Sequence, residues 1–178
     1  MLAAGLEQLV GHLRELNRPV VPLLRPGIGA VQVEASLGSP VPASVGEWFH
    51  WCNGAEVRPG QIQDDVNVIP GYNPLSAEEA VGMTPDYADD PVLGEDWFPL
   101  LGSAGGDIYA AVWTVGGEAK VAGVLVGEQT EIEFSSIEQM VSVFNGCYRN
   151  RAFYVDDLGR LAMDSGLYEE VYDEIVGQ

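Results

Sequence analysis

The chain has 178 residues, a net charge of −19 at neutral pH and 47% hydrophobic residues. That apolar content excludes a disordered acidic tail. A charge of this sign and size argues against nucleic acid and anionic membrane as partners, and it attracts basic proteins or metal ions. At this length one domain, or one with an extension, covers about 70% of the surface that its unfolded chain exposes, and it needs no staples.

Leu2, Leu6, Leu9, Val10, Leu13 and Leu16 recur at helical spacing and predict an amphipathic helix over residues 2–17, stopped by Asn17-Arg18-Pro19. Residues 18–41 hold four prolines and three glycines and read as an irregular linker, with a short strand at Ala30–Val33. Pro42 to Cys52 reads as a second helix with Val45, Trp48, Phe49 and Cys52 on its apolar side. Asn53-Gly54 closes it, with Gly54 in the left-handed conformation just past the end. Residues 55–71 read as a strand, an acidic turn at Asp64-Asp65 and a strand through Val66–Ile69. Ser76-Ala-Glu-Glu caps a short helix over 76–83.

An acidic loop follows from Thr84 to Asp96. Three antiparallel strands are predicted at Trp97–Leu101, Asp107–Val115 and Lys120–Val126, with turns at Gly105-Gly106 and Gly116-Gly117. Ser135 to Tyr148 is a strong helix, capped by Ser135 or Ser136. A hairpin over Ala152–Leu161 and an acidic helix over Asp164–Val176 complete the chain. These elements predict a single α+β domain, an antiparallel sheet flanked by helices. Residues 1–40 form an N-terminal helix and linker ahead of it.

The residue types that carry chemistry are sparse. Cys52 and Cys147 lie in apolar helical patterns and read as buried free thiols. His12 and His50 have no neighbours at ligand spacing, so no metal or other cofactor is expected. No Gly-x-Ser-x-Gly elbow and no phosphate-cradling Walker motif occur. The pairs Asp64/Asp65, Asp89/Asp90, Glu95/Asp96 and Asp156/Asp157 leave acid–base catalysis open, and Asp86-Tyr-Ala-Asp-Asp90 leaves a Ca²⁺ loop open. Both readings are disfavoured: carboxylates in hydrophilic loops keep ordinary acidity, and the order of an EF-hand loop is missing. No apolar run is long enough for a bilayer and no secretory leader is visible, so a cytoplasmic location is expected.

The charge is unevenly placed. Residues 1–58 carry five acids and four basic residues, whereas residues 59–178 carry 22 acids against four. Between Pro59 and Ala119 there is no Lys or Arg, and eleven acids. Asp86, Asp89, Asp90, Glu95 and Asp96 crowd one loop with Tyr87, Trp97 and Phe98 between them, and Asp64 and Asp65 lie upstream. Carboxylates around an exposed aromatic suit a basic partner, steered at long range and anchored at contact. Glu169, Glu170, Asp173 and Glu174, beside Tyr168 and Tyr172, form a second candidate surface. The plain alternative for both is a solvated acidic surface that raises solubility.

Two segments carry a resemblance. Val41-Pro-Ala-Ser-Val-Gly-Glu-Trp-Phe-His-Trp-Cys-Asn-Gly54 is followed by Trp97-Phe-Pro-Leu-Leu-Gly-Ser-Ala-Gly-Gly-Asp107-Ile-Tyr. This Pro-led helix ending in Asn-Gly, then a Trp-x-Pro strand and a Gly-Asp turn, resembles the SUKH superfamily. That group includes the yeast cell-wall assembly regulator and many bacterial immunity proteins. Phe134-Ser-Ser-Ile-Glu-Gln-Met resembles the family's closing helix, so the match runs over about residues 41–148 of a SUKH-like domain spanning 41–178. Pro42, Trp48, Trp51, Asn53, Gly54, Trp97, Pro99, Gly106 and Asp107 are its motif positions. Their chemistry is that of fold-keeping: helix ends, large packing groups, and a tight turn at Gly106 to whose amides Asp107 bonds back. The resemblance implies a binding protein that neutralises a toxin, with nucleases among such toxins, and it brings no catalytic residues. It equally admits a housekeeping regulatory or scaffold role like that of the cell-wall regulator.

Overall fold

Alternating apolar positions and tight turns build a five-stranded antiparallel sheet in which each strand pairs with the next. Its strands are β1 (Asn73–Pro74), β2 (Asp96–Gly102), β3 (Ile108–Trp113), β4 (Lys120–Val124) and β5 (Glu131–Phe134). The computed structural model describes residues 1–177. Helices α1 (Leu2–Glu15), α2 (Ala30–Leu37), α3 (Ala43–Trp51), α4 (Ala77–Met83), α5 (Ile137–Arg149) and α6 (Ser165–Val176) pack around the sheet. A separate hairpin, β6 (Phe153–Val155) with β7 (Leu161–Met163), joins α5 to α6. The predicted α+β class, with an antiparallel sheet flanked by helices in one domain, is the one observed.

Helix α5 organises the larger core. Ser136 Oγ accepts from Gln139 N–H at 3.0 Å, Glu138 sits in the first turn and Arg149 in the last, so both ends are satisfied. Ile137, Met140, Val141, Phe144 and Cys147 bury its apolar side. Helices α1 and α6 grip it laterally. Asn145 Nδ2 donates to Gly5 O at 2.9 Å, and the Tyr148 hydroxyl donates to Val68 O at 2.6 Å. Leu2, Leu6, Leu9 and Leu13 of α1 belong to the same core as Phe98, Leu101, Val121 and Phe134 of the sheet. His12 of α1 stacks on Tyr148 with 5.4 Å between ring centroids, a packed histidine.

The opposite face of the sheet has its own smaller cluster: Trp97, Ile108, Ala110, Ala122 and Val124, roofed by Leu93 with Met83 and Tyr87 alongside. The strand alternation therefore buries both faces, and the acidic stretch after α4 forms the second cover.

Several local expectations are corrected. Residues 30–37 are a helix, not a strand: Gln32 Oε1 accepts from Gly29 N–H at 2.9 Å at its start, and Gly38 ends it in the left-handed conformation. Only Val33 of that helix is fully buried, so its one-sided stripe is too thin to show through the surrounding prolines. The two strands expected in 55–71 are instead a 3-10 turn at Gln63–Val66 and isolated bridges, Leu24 to Ala55 and Ile69 to Tyr72. Strand β5 was not expected, and the last hairpin begins one residue later and ends two residues later than its sequence pattern suggests.

The Asn53-Gly54 pair serves a different helix end from the one expected. Cys52 already leaves α3 in an extended conformation. Asn53 Oδ1 accepts from Ala77 N–H at 2.8 Å, and so caps the start of α4 beside Ser76. Gly54 has φ 79°, and a Cβ there would stand 2.7 Å from Ser76 N. Glycine is required because two helix ends meet backbone to backbone.

Both thiols are free and buried, and burial pushes each up to about 12. At pH 8 the folded protein is expected to leave Ellman's reagent unreacted and to release two equivalents only on addition of denaturant. Reaction of either thiol in the folded state contradicts this packing.

Candidate partner-binding surface

The acidic loop between α4 and β2 is fixed from within. A 3-10 turn at Thr84–Tyr87 aims the Tyr87 hydroxyl at Gly106 O, to which it donates. Gly106, with φ 94°, makes the β2–β3 turn. The Tyr87 ring meets Trp97 edge-on, with centroids 6.2 Å apart. Asp90 Oδ1 accepts from Val92 N–H at 2.8 Å and from Leu93 N–H at 3.3 Å, while Oδ2 accepts from the buried Thr130 hydroxyl. These bonds tie the loop to the turns at one end of the sheet.

The aromatic anchor expected among these acids is not displayed. Phe98 is completely buried, Trp97 is 8% exposed, and Tyr87 is half-buried with its hydroxyl engaged. The rings are drawn inward because they fill the second face of the sheet. The loop presents Asp86, Asp89 and Glu95 to solvent, with Asp96 half-buried at the start of β2, while Asp90 acts inward.

Asp64 also acts inward, while Asp65 caps its own turn. Asp64 Oδ2 pairs with Arg18 Nη2 at 2.6 Å, and its Oδ1 accepts from Leu161 N–H at 2.9 Å. Asp65 Oδ2 accepts from Ile62 N–H at 3.0 Å and closes the 3-10 turn. Asp107 was expected to bond within its own turn. Instead its Oδ1 accepts from Val126 N–H at 2.8 Å, joining the β2–β3 turn to the turn after β4. Pro99 lies in the middle of β2, at an irregularity of the register between Pro99 and Leu101, where a missing N–H is tolerated. Pro42 is the residue that leads into α3. Trp48 is fully buried, and Trp51 meets it edge-on at 5.1 Å.

On α6, Glu169, Glu170, Asp173 and Glu174 are all exposed. Tyr168 and Tyr172 turn the other way. Tyr168 stacks on Phe153 at 6.2 Å, Tyr172 meets Phe134 edge-on at 5.7 Å, and the Tyr172 hydroxyl donates to Glu133 O at 2.8 Å.

Glu133 is a carboxylate to which the sequence draws no attention. The β4–β5 register passes from Val121–Phe134 to Ala122–Ile132, so Glu133 is the extra residue of a bulge. Its side chain lies over Gly123, where a Cβ would stand 1.8 Å from Oε1. Burial holds the carboxyl above its ordinary value, a hydrogen bond from Tyr109 pulls the other way, and Glu131 adds to the rise. The phenols of Tyr109, Tyr168 and Tyr172 are each raised, first by burial and then by the nearby Glu133 charge, whereas that of Tyr72 is raised by burial, then by Asp107 and only then by Glu133. Alternation along Glu131-Ile-Glu133-Phe134 is short, and the bulge breaks its period, so no sequence pattern places Glu133 on the core side.

Among the described residues the ion pairs are Met1 N-terminus–Glu138, His12–Glu15, Arg18–Asp64 and Arg58–Glu56. None neutralises Asp86, Asp89, Glu95 or Asp96, the acids of α6, or Glu133. Among the described residues no group of three or more His, Cys, Asp or Glu is placed to hold a metal ion. The recess nearest the acidic loop, about 290 Å³ and lined in part by Pro42, Asp96, Trp113 and Glu118, is smaller than typical small-molecule sites. No helix among the described residues is long and apolar enough to cross a membrane. The chain matches no protein-family model and no curated protein.

Proposed function

We propose that this is a non-enzymatic acidic binding protein of the cytoplasm, an immunity protein that neutralises a cognate bacterial toxin by covering its basic surface. The observation that carries the reading is the set of exposed, unpaired carboxylates Asp86, Asp89 and Glu95 on a loop held by Tyr87, Asp90 and Thr130. A loop ordered before contact loses little conformational entropy on binding. Its uncompensated charge accelerates encounter with a basic surface and disfavours acidic competitors. The active site of a nuclease is basic because it must hold phosphates, and fixed carboxylates can stand in for those phosphates. The resemblance of Val41–Gly54 and Trp97–Tyr109 to the SUKH superfamily supports the same reading.

The direct test is co-expression with the toxin domain encoded beside its gene. Growth should be restored, and the two chains should elute together at low salt and separate at high salt. A neighbourhood without a toxin, or a toxin whose effect persists in the presence of this chain, overturns the proposal.

A further inference from the structure

We propose that Glu133 and the ring of Tyr72, Tyr109, Tyr168 and Tyr172 form the receptor for one arginine side chain of the basic partner. This inference rests on the reading of the protein as a binder of basic partners, and it names the contact that the inward-turned Trp97 and Tyr87 leave unassigned.

Three features converge on Glu133. A bulge singles it out, and bulges re-aim side chains at functional positions. Gly123 in the neighbouring strand gives the carboxylate a seat that any side chain would fill. No cation answers it: among the described residues its carboxylate takes part in no ion pair, although the Arg18–Asp64 pair shows that this fold builds one where it needs one. Glu131 adds to the local negative field.

The surroundings suit a guanidinium. Tyr72 and Tyr109 pack with ring centroids 4.9 Å apart, and Tyr168 and Tyr172 stack at 6.1 Å. All four residues are half-buried, Tyr109 enclosed by Tyr72, Phe134 and Phe144 and Tyr168 stacked between Phe153 and Tyr172, so Tyr72 and Tyr172 carry most of the surface open to a partner. A planar guanidinium can fork onto a carboxylate and lie against phenol faces, which a compact ammonium does less well. Tyrosine and arginine are also enriched among residues that dominate interfaces.

A carboxylate placed for binding costs the free protein stability, whereas one placed for the fold contributes to it. The Glu133 carboxyl is raised in the folded state, so its contribution is full below the unfolded-state value and is lost as pH rises through the folded-state value. Above the folded-state value its ionised form is therefore a burden that Glu133→Gln removes.

The experiment is a titration of the full chain with a tri-arginine peptide at low salt, followed by amide chemical shifts. It is run on the wild type, on E133Q and on a triple variant D86N/D89N/E95Q. E133Q is expected to weaken binding by about tenfold or more, the triple variant by less than about threefold, with shifts centred on Tyr109, Gly123 and Tyr172. The thermal midpoint of E133Q at pH 7 should not fall. Binding by E133Q equal to wild type, shifts centred on the Asp86–Glu95 loop, no saturable binding to wild type, or a lower midpoint for E133Q each overturns the proposal. If co-expression shows no toxin neutralised while E133Q still abolishes peptide binding, the receptor stands and the immunity reading falls.

Discussion

Asp64→Ala is expected to lower the unfolding free energy by about 3–5 kcal/mol, read as a shift of the urea midpoint at unchanged slope. Arg18 is only 4% exposed, and among the described residues Asp64 is its single charged partner. Its Nη1 donates to Gly159 O at 3.0 Å and its Nη2 to Asp64 O at 2.9 Å, while its Nε is buried without a partner. The pair thus joins the chain after α1, the 3-10 turn at residues 63–66 and the β6–β7 hairpin. Removing the carboxylate leaves a guanidinium in a dry site, which costs far more than the pair contributes. The double variant R18M/D64L removes the charge together with its partner and should recover most of the loss. A decrease below about 1 kcal/mol for Asp64→Ala would mean that water reaches Arg18, as it does for surface pairs.

That site also shows where sequence reading stops. Asp64 and Asp65 look like a solvated acidic turn, because composition does not reveal that Arg18, 46 residues before Asp64, returns to meet it. Elements set by local periodicity were legible: α1, α3, α5, α6 and the meander of β2, β3 and β4 lie close to their predicted positions. Long-range satisfaction of polar groups was not. Asn53 looked like the end of one helix and caps the next. Asp107 looked like a turn residue closed on itself and holds a distant turn. Tyr87, Trp97 and Phe98 looked like an exposed anchor because their acidic neighbours dominate the sequence. Strand alternation fixes Trp97 and Phe98 on opposite buried faces, and Tyr87 roofs one of them. In the candidate site, the acids were legible by count. Their division into inward Asp64 and Asp90, turn-capping Asp65, and outward Asp86, Asp89 and Glu95 required the fold. Glu133 was hidden because one bulge residue carries no periodic signal.

The division gives the charge-reversal experiment its design. Asp86→Lys, Asp89→Lys and Glu95→Lys together change the loop's display from three negative to three positive charges without touching the bonds that hold it. Association with the proposed basic partner at low ionic strength is expected to slow by about 10- to 1,000-fold, and its decline with added salt should vanish or reverse. The dissociation rate should change less, because steering acts on encounter and buried contacts act on escape. Asp90→Ala is the informative contrast. It alters the charge by one unit but releases Val92 N–H, Leu93 N–H and the Thr130 hydroxyl from their shared acceptor. Its cost should therefore appear first as lost stability, about 1–3 kcal/mol for the unsatisfied groups, with a far smaller effect on salt dependence. If the triple reversal leaves low-salt association unchanged while the fold is intact, the encounter surface lies elsewhere, and Glu169, Glu170, Asp173 and Glu174 on α6 become the residues to reverse.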